Sequence, residues 1–367
     1  MTSSEEIALK LDRVRAYLRD NALDGIVLTK QENFSWITAG RDNWVSLAND
    51  RGVASVFVDR ERVLLLCDNI EEPRMREEEC ADLGWDVRAW SWSDAQDRRA
   101  VLRPLFEGKT VVCDAPMMDQ DLPVRDVSAL RQKLTAAEID RYRAVGRDCV
   151  DVMERVAAEL RPGMRELDAA ALLARASRER AMAPIVVLVA ADDRAYRFRH
   201  PIPTPRKIDR HLMLVLCARR AGLIGNLTRV VHWGRPDPEL CRRHDAVVRV
   251  DAACIAATRP GAAVKDVFAA AVDTYRACGY NDEWKLHHQG GPTGYVAREY
   301  RAAPDCKGEV EAGQAFAWNP SIAGTKSEDT IIVADPVNEI VTAPRNWPVV
   351  AVDLGGSRFL RSAIMTL

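Results

Sequence analysis

Two Arg-Pro-Gly steps, at residues 161–163 and 259–261, constrain the fold of this 367-residue chain more than any other feature. Each sits between two stretches of helical periodicity. The first copy reads DVMERVAAELRPGMRELDAAALLARASRERA and the second RVDAACIAATRPGAAVKDVFAAAVDTYRACG, with the turns in register. Agreement of the flanking patterns as well as the tripeptide predicts a duplicated unit of helix, turn and helix. Two such halves are expected to bury a sheet between them, and a cleft at a repeat interface is a natural ligand site.

Upstream, the pattern is different. Residues 5–22 have helical spacing and lead into the strand GIVLT; GVASVFVD and RVLLLCD, joined by Asp59-Arg60-Glu61-Arg62, predict a hairpin. EEPRMREEECADLG reads as a charged helix, followed by strands near Trp85–Trp90 and in KTVVCDA. NFSWITAGRDNWVS has no clear period and is open to three readings: a lid, a dimer contact or a packed surface loop. The run WSWSD reads as packing. LTAAEIDRYRAVGRD opens a long helix, with Thr135 as N-cap and Glu138 at the capping-box spacing. Two domains follow: an α/β domain over 1–132 and a second domain over 133–367.

The 52 basic and 54 acidic residues are interspersed and leave a net charge of -2, which gives no electrostatic case for nucleic acid or an anionic membrane. No segment approaches eighteen uninterrupted apolar residues, and the acidic N-terminus lacks a signal-peptide pattern, so a cytoplasmic protein is expected. Nine cysteines without CxxC spacing read as reduced thiols.

Chemistry concentrates between Trp284 and Thr330. This stretch holds His287, His288, a Gly-Gly-Pro bend, Tyr295, Arg298, Glu299, Asn319, Lys326, Glu328 and Asp329. Such groups are expensive to bury and usually gather where a ligand or reaction uses them. His200 precedes Pro-Ile-Pro-Thr-Pro, which cannot be helical, so its imidazole is expected on a loop. LMLVLCARR and GLIGNLTRVVHW read as consecutive strands, the second carrying Asn226 and Arg229. Strand alternation turns Asp329 away from Glu328 and His287 away from His288, so His287 reads as structural. Plainer roles stand beside these: a loop hydrogen bond for His200, a surface or dimer salt bridge for Arg298 and Glu299, a sheet amide for Asn226, a core aromatic for Tyr295.

The order of helix, RPG turn, helix, lone His before a Pro-rich loop, NLTR strand, second RPG pair, His-Gly-rich strand and closing SEDT strand resembles the pita-bread family of aminopeptidase P, prolidase and creatinase. NFSWITAG resembles the N-terminal domain of that family. The resemblance implies an α/β (α+β) chain, with a creatinase-like N-terminal domain over 1–132, a pita-bread catalytic domain over 133–367 with an internal two-fold repeat, and a homodimer. It also implies two divalent ions held by two Asp, one His and two Glu. Their positions fall within residues 213–218, where there is no carboxylate, and on Asn226, His288, Asn319 and Glu328.

Two such ions need several carboxylates to offset their charge. The expectation is therefore a metal-independent, creatinase-like hydrolase or lyase that cleaves a C–N or related bond in a small amino-acid-like substrate. No cofactor is expected; a single weakly held divalent metal is the alternative. In that reading His200 is general acid and base. Glu328 activates water or binds a cationic group, and His288 and Tyr295 orient the reacting atoms. Arg298 pairs with a substrate carboxylate, Asn226 and Asn319 donate as amides, and Lys326 binds an anion. Two rival readings remain: a metal-dependent Xaa-Pro peptidase, and a non-catalytic protein binding a small ligand.

Overall fold

The chain enters helix α1 (Ser3–Asp20) through a capping box, in which Glu5 N–H donates to Thr2 Oγ1 at 3.3 Å and Thr2 N–H to Glu5 Oε2 at 2.8 Å. The computed structural model describes residues 1–117 and 120–367, and the chain divides into two units, 1–138 and 139–367. In the first unit β1 (Gly25–Lys30), helix α2 (Gln31–Ile37), β2 (Arg51–Asp59), β3 (Val63–Asp68), β4 (Asp86–Trp90), helix α3 (Ala95–Phe106) and β5 (Val111–Cys113) follow in order. The strands form one sheet in the order β4-β3-β2-β1-β5. The predicted hairpin is the antiparallel β2/β3 pair, with Val58 opposite Val63.

Two stretches differ from the sequence reading. NFSWI forms α2, and Phe34, Trp36 and Ile37 are at most 1% exposed, so this segment is core and not a lid. EEPRMREEECADLG forms one α-turn, Glu72–Arg74, and then a π-turn, Met75–Glu79, in which Cys80 N–H donates to Met75 O at 2.9 Å. Met75 and Cys80 are the apolar residues buried here, and the wider turn brings both inside across a five-residue spacing. In the Trp-rich run, Trp90 is half-buried under the Arg98 guanidinium, whereas Trp92 is exposed.

The long helix α4 (Ala136–Glu159) starts at the predicted cap: Thr135 N–H donates to Glu138 Oε2 at 2.6 Å, and Glu138 N–H to Thr135 Oγ1 at 3.2 Å. The second unit then builds the same motif twice. In the first copy α4 and α5 (Glu166–Arg178) accompany β6 (Ala183–Ala191), β7 (His211–Arg220) and β8 (Leu223–His232). In the second, α6 (Pro238–Ala257) and α7 (Val264–Ala277) accompany β9 (Gly290–Thr293), β10 (Ala315–Trp318), the short pair β11 (Ser321–Ile322) and β12 (Thr325–Lys326), β13 (Asp329–Ile332) and β14 (Glu339–Ile340). A hairpin, β15 (Val349–Leu354) and β16 (Ser357–Ser362), follows, and β17 (Met365–Thr366) joins the first copy beside β8. The two sheets run β17-β8-β7-β6 and β14-β13-β10-β9.

Each helix pair buries its apolar stripe on its own sheet. Val145, Cys149, Val152, Met153 and Val156 of α4 pack with Leu212, Leu214 and Leu216 of β7. Val247, Val250 and Cys254 of α6 pack with Phe316, Trp318 and Ile331. The RPG turns are equivalent in detail. Gly163 and Gly261 have φ of 90° and 85°, a conformation that favours glycine. Each glycine N–H donates at 2.8 Å to a distant carbonyl, Ile208 O or Val310 O. Each distant residue donates back, Ile208 to Met164 O and Val310 to Ala262 O.

Candidate active site

The two copies touch where β8 passes the turn into β13. Thr228 N–H donates to Glu328 O at 3.2 Å, and Asn226 N–H to Thr330 Oγ1 at 2.8 Å. Alternation about this line sends Glu328 and Asp329 to different partners. Glu328, 2% exposed, accepts from Thr228 Oγ1 at 2.7 Å and faces Lys326 Nζ and Arg298 Nη2, each at 2.8 Å. Burial alone would raise its pKa. The Lys326 ammonium, the Arg298 guanidinium and the hydrogen bonds outweigh burial and hold it down to about 2. Asp329 accepts from Arg229 at 3.0 Å and from Arg361 at 2.7 Å. Arg361 also reaches Asp251 at 2.5 Å, and Ser327 Oγ donates to the same Asp251 oxygen. This buried lattice fixes the floor from which Lys326 and Glu328 rise.

The histidines come from both copies, His200 from the loop before β7 and His287 and His288 from the segment before β9. Gly290 and Gly291 let β9 approach its neighbours: φ at Gly290 is 109°, and a Cβ there would lie 2.2 Å from Ala317 O. Just before them, Tyr275 Oη donates to Gln289 Oε1 at 2.9 Å, and Asn319 N–H donates to Gln289 O at 3.0 Å. His287 and His288 therefore leave a fixed point. The ring centroids of His287 and His288 are 4.5 Å apart, and those of His200 lie 4.9 and 5.7 Å from them. His200 Nε2 is 3.2 Å from His287 Nε2, and His287 Nδ1 is 3.3 Å from Ser321 Oγ.

All three imidazoles have lowered pKa values. Burial, then the Lys326 ammonium, lowers the pKa of His200, with Glu328 opposing. Burial, Lys326 and the neighbouring rings lower that of His287 strongly. Burial, then Arg298 and Lys326, push His288 down to about 3. The same two cations thus act on the histidines and on Glu328, which places the two clusters in one electrostatic neighbourhood.

Glu328, Lys326 and Arg298 meet directly, whereas His200 touches His287 and its ring centroid lies 5.7 Å from that of His288. Asn226 is fully buried and donates through Nδ2 to Thr293 Oγ1 at 3.1 Å. Asn319 follows β10 and is 3% exposed, and Tyr295 is buried in the bend after β9. Asn226 Oδ1, Asn319 Oδ1 and His288 Nδ1 are buried without a hydrogen-bond partner among the described residues. The Arg298 fork is already engaged, with Glu328 and with Ala297 O. Sequence reasoning missed His287, Ser321 and Gln289. His287 ends the 3₁₀ turn Glu283–Leu286 and precedes β9, so the strand alternation used to turn it away does not apply there.

Among the described residues, His200, His287 and His288 are the group of three or more metal-capable side chains, with one nitrogen of each within 4.8 Å of the others. A carboxylate-rich pair of ions does not fit. Glu328 and Asp329 are each engaged by two cations, and Asn226 and Asn319 bring neutral oxygens.

Comparison with known proteins gives the lineage. Residues 140–335 match Metallopeptidase family M24, and residues 10–148 match the Creatinase/Prolidase N-terminal domain. A probable dipeptidase PepE of Mycobacterium tuberculosis is 24% identical over 357 residues, 90% of this chain and 93% of that protein. An uncharacterized peptidase of Staphylococcus saprophyticus is 28% identical over 151 residues, and the matched part spans 39% of this chain and 43% of its relative. The Xaa-Pro dipeptidase from Bacillus anthracis superposes with a TM-score of 0.76 at 18% identity, covering 98% of this chain and 100% of the other.

The matches correct two expectations. Metal-independent, creatinase-like cleavage does not stand, and neither does the absence of a cofactor, because the matched family is one of metallopeptidases. Both expectations turned on the missing carboxylates and counted one imidazole, His288, toward a metal. Neutral imidazole is itself a ligand for a divalent ion, and the third ring of the cluster had been read as structural.

Proposed function

The chain is a member of Metallopeptidase family M24, and on that premise we propose that it is a metal-dependent peptidase of the dipeptidase or prolidase kind, acting on small peptides. The observation that carries this reading is the family match over the same residues that gather His200, His288 and Glu328 at one seam. A bound divalent ion would supply a polarised carbonyl or an activated water. The remaining work falls to the chain itself. His200 and His288 would help to hold that ion, with His200 at the solvent edge. Glu328, ionised throughout the neutral range, steadies Lys326 and Arg298 and does not donate a proton. Those two cations attract the carboxylate of a short peptide, while Asn226 and Asn319 offer acceptors and Tyr295 shapes the bend. The reading includes a cytoplasmic homodimer with a creatinase-like domain over 1–132 and a catalytic domain over 133–367.

The test is release of free amino acids from a panel of Xaa-Pro and other dipeptides, using chelator-stripped protein resupplied with manganese, cobalt or zinc. Expected is hydrolysis that disappears on chelation and returns with metal. Failure to cleave any dipeptide with any of the ions, or cleavage that survives chelation, would sink the reading. Light scattering on the same preparation checks the dimer.

A further inference from the structure

We propose that this chain holds a single metal ion on His200, His287 and His288, with no carboxylate in the coordination shell. This rests on the peptidase reading only for the use of a metal, and goes beyond it in ligands, number and kind of ion. The geometry is close to complete. A tetrahedral centre with metal–nitrogen bonds of about 2.0–2.1 Å sets its ligand nitrogens roughly 3.3 Å apart. His200 Nε2 and His287 Nε2 are 3.2 Å apart, and a nitrogen of His288 lies within 4.8 Å of both. His288 Nδ1 is buried without a hydrogen-bond partner among the described residues, so no existing bond holds that ring away from the other two. Two Nε2 atoms aimed at each other at this distance must share a proton or a cation, since two bare lone pairs repel.

The surroundings favour the cation. Ser321 Oγ accepts from Arg199 Nη1 at 3.2 Å and lies 3.3 Å from His287 Nδ1, and Arg199 is anchored in turn on Glu283. A proton held on Nδ1 by Ser321 leaves Nε2 bare and turned toward His200, the outer-shell arrangement common to metal-binding histidines. His200 is exposed, on a segment stiffened by Pro201, Pro203 and Pro205, so a fourth position stays open to water or substrate.

Glu328 is not available as a ligand. Arg298 occupies Oε1, and Lys326 and Thr228 occupy Oε2. With both Glu328 oxygens taken, no carboxylate oxygen is left for the oxygen-seeking ions magnesium and calcium. Imidazoles alone suit zinc, cobalt(II), nickel or iron(II).

The full chain, stripped with chelator, is titrated with zinc and with cobalt(II) and read by elemental analysis, calorimetry and X-ray absorption. Expected is one equivalent per chain, an absorption spectrum fitted by three imidazoles, and tetrahedral cobalt bands. His287→Ala, folded by circular dichroism, is expected to lose stoichiometric binding. Ser321→Ala is expected to weaken it by roughly tenfold. No bound ion, two equivalents, a shell of carboxylate oxygens, or unchanged binding by His287→Ala would overturn the proposal. The absorption spectrum of the unmodified chain decides even where a variant fails to fold. One ion on three imidazoles in a protein that cleaves no peptide keeps the centre and removes the peptidase reading; peptide cleavage with two ions does the reverse.

Discussion

Lys326 and Glu328 stand two residues apart and face each other at 2.8 Å, with side chains 4% and 2% exposed. Arg298 holds the second carboxylate oxygen at the same distance. Removing one member of such a buried set strands its partners, at a cost of about 3–5 kcal/mol. Glu328→Gln is expected to lower the urea midpoint by that measure, and Lys326→Met added to it should recover part of the loss. A single-variant cost under about 1 kcal/mol would show that the set contributes little to stability.

The same carboxylate gives a pH dependence. Its pKa is held at about 2 in the fold, against an ordinary 4.5, so the unfolded chain takes up the proton first as pH falls. The stabilisation is complete above about 4.5 and is lost between there and 2, on the order of a few kcal/mol in total. Denaturation followed from pH 6 to pH 3 should show this fall, and Glu328→Gln should flatten it.

Gly290 has no room for a side chain. A Cβ would meet Ala317 O at 2.2 Å, and φ is 109°. Gly290→Ala is expected to cost more than about 2 kcal/mol and to displace His287 and His288. Thermal melting and metal content of the variant check both effects together.

The cap of α4 offers a milder test. Thr135→Ala removes the acceptor for Glu138 N–H and is expected to cost about 1 kcal/mol. Thr135→Ser should retain most of that, as read from the shift in denaturation midpoint.

What was legible in the sequence was periodic or carried by special residues. The RPG turns were visible because proline and glycine punctuate the chain, and their flanking helices bury regular stripes. Thr135 and Glu138 could be read because a capping box acts over three residues. The π-turn at Met75 could not, since only burial of Cys80 selects it over an α-helix. The site was half legible. Glu328 and Asp329 part as alternation demands, but His287 lies outside any strand. Its orientation is set by Ser321, thirty-four residues away, which no local pattern records.

Arg361 neutralises Asp251 and Asp329 together, and 110 residues separate it from the first of them. During synthesis both aspartates are made before their shared cation. A nascent chain that stops short of Arg361 has every catalytic candidate already made, yet buried Asp251 still lacks its cation and Asp329 has Arg229 alone. Maturation of the site should therefore wait on the late arrival of one guanidinium.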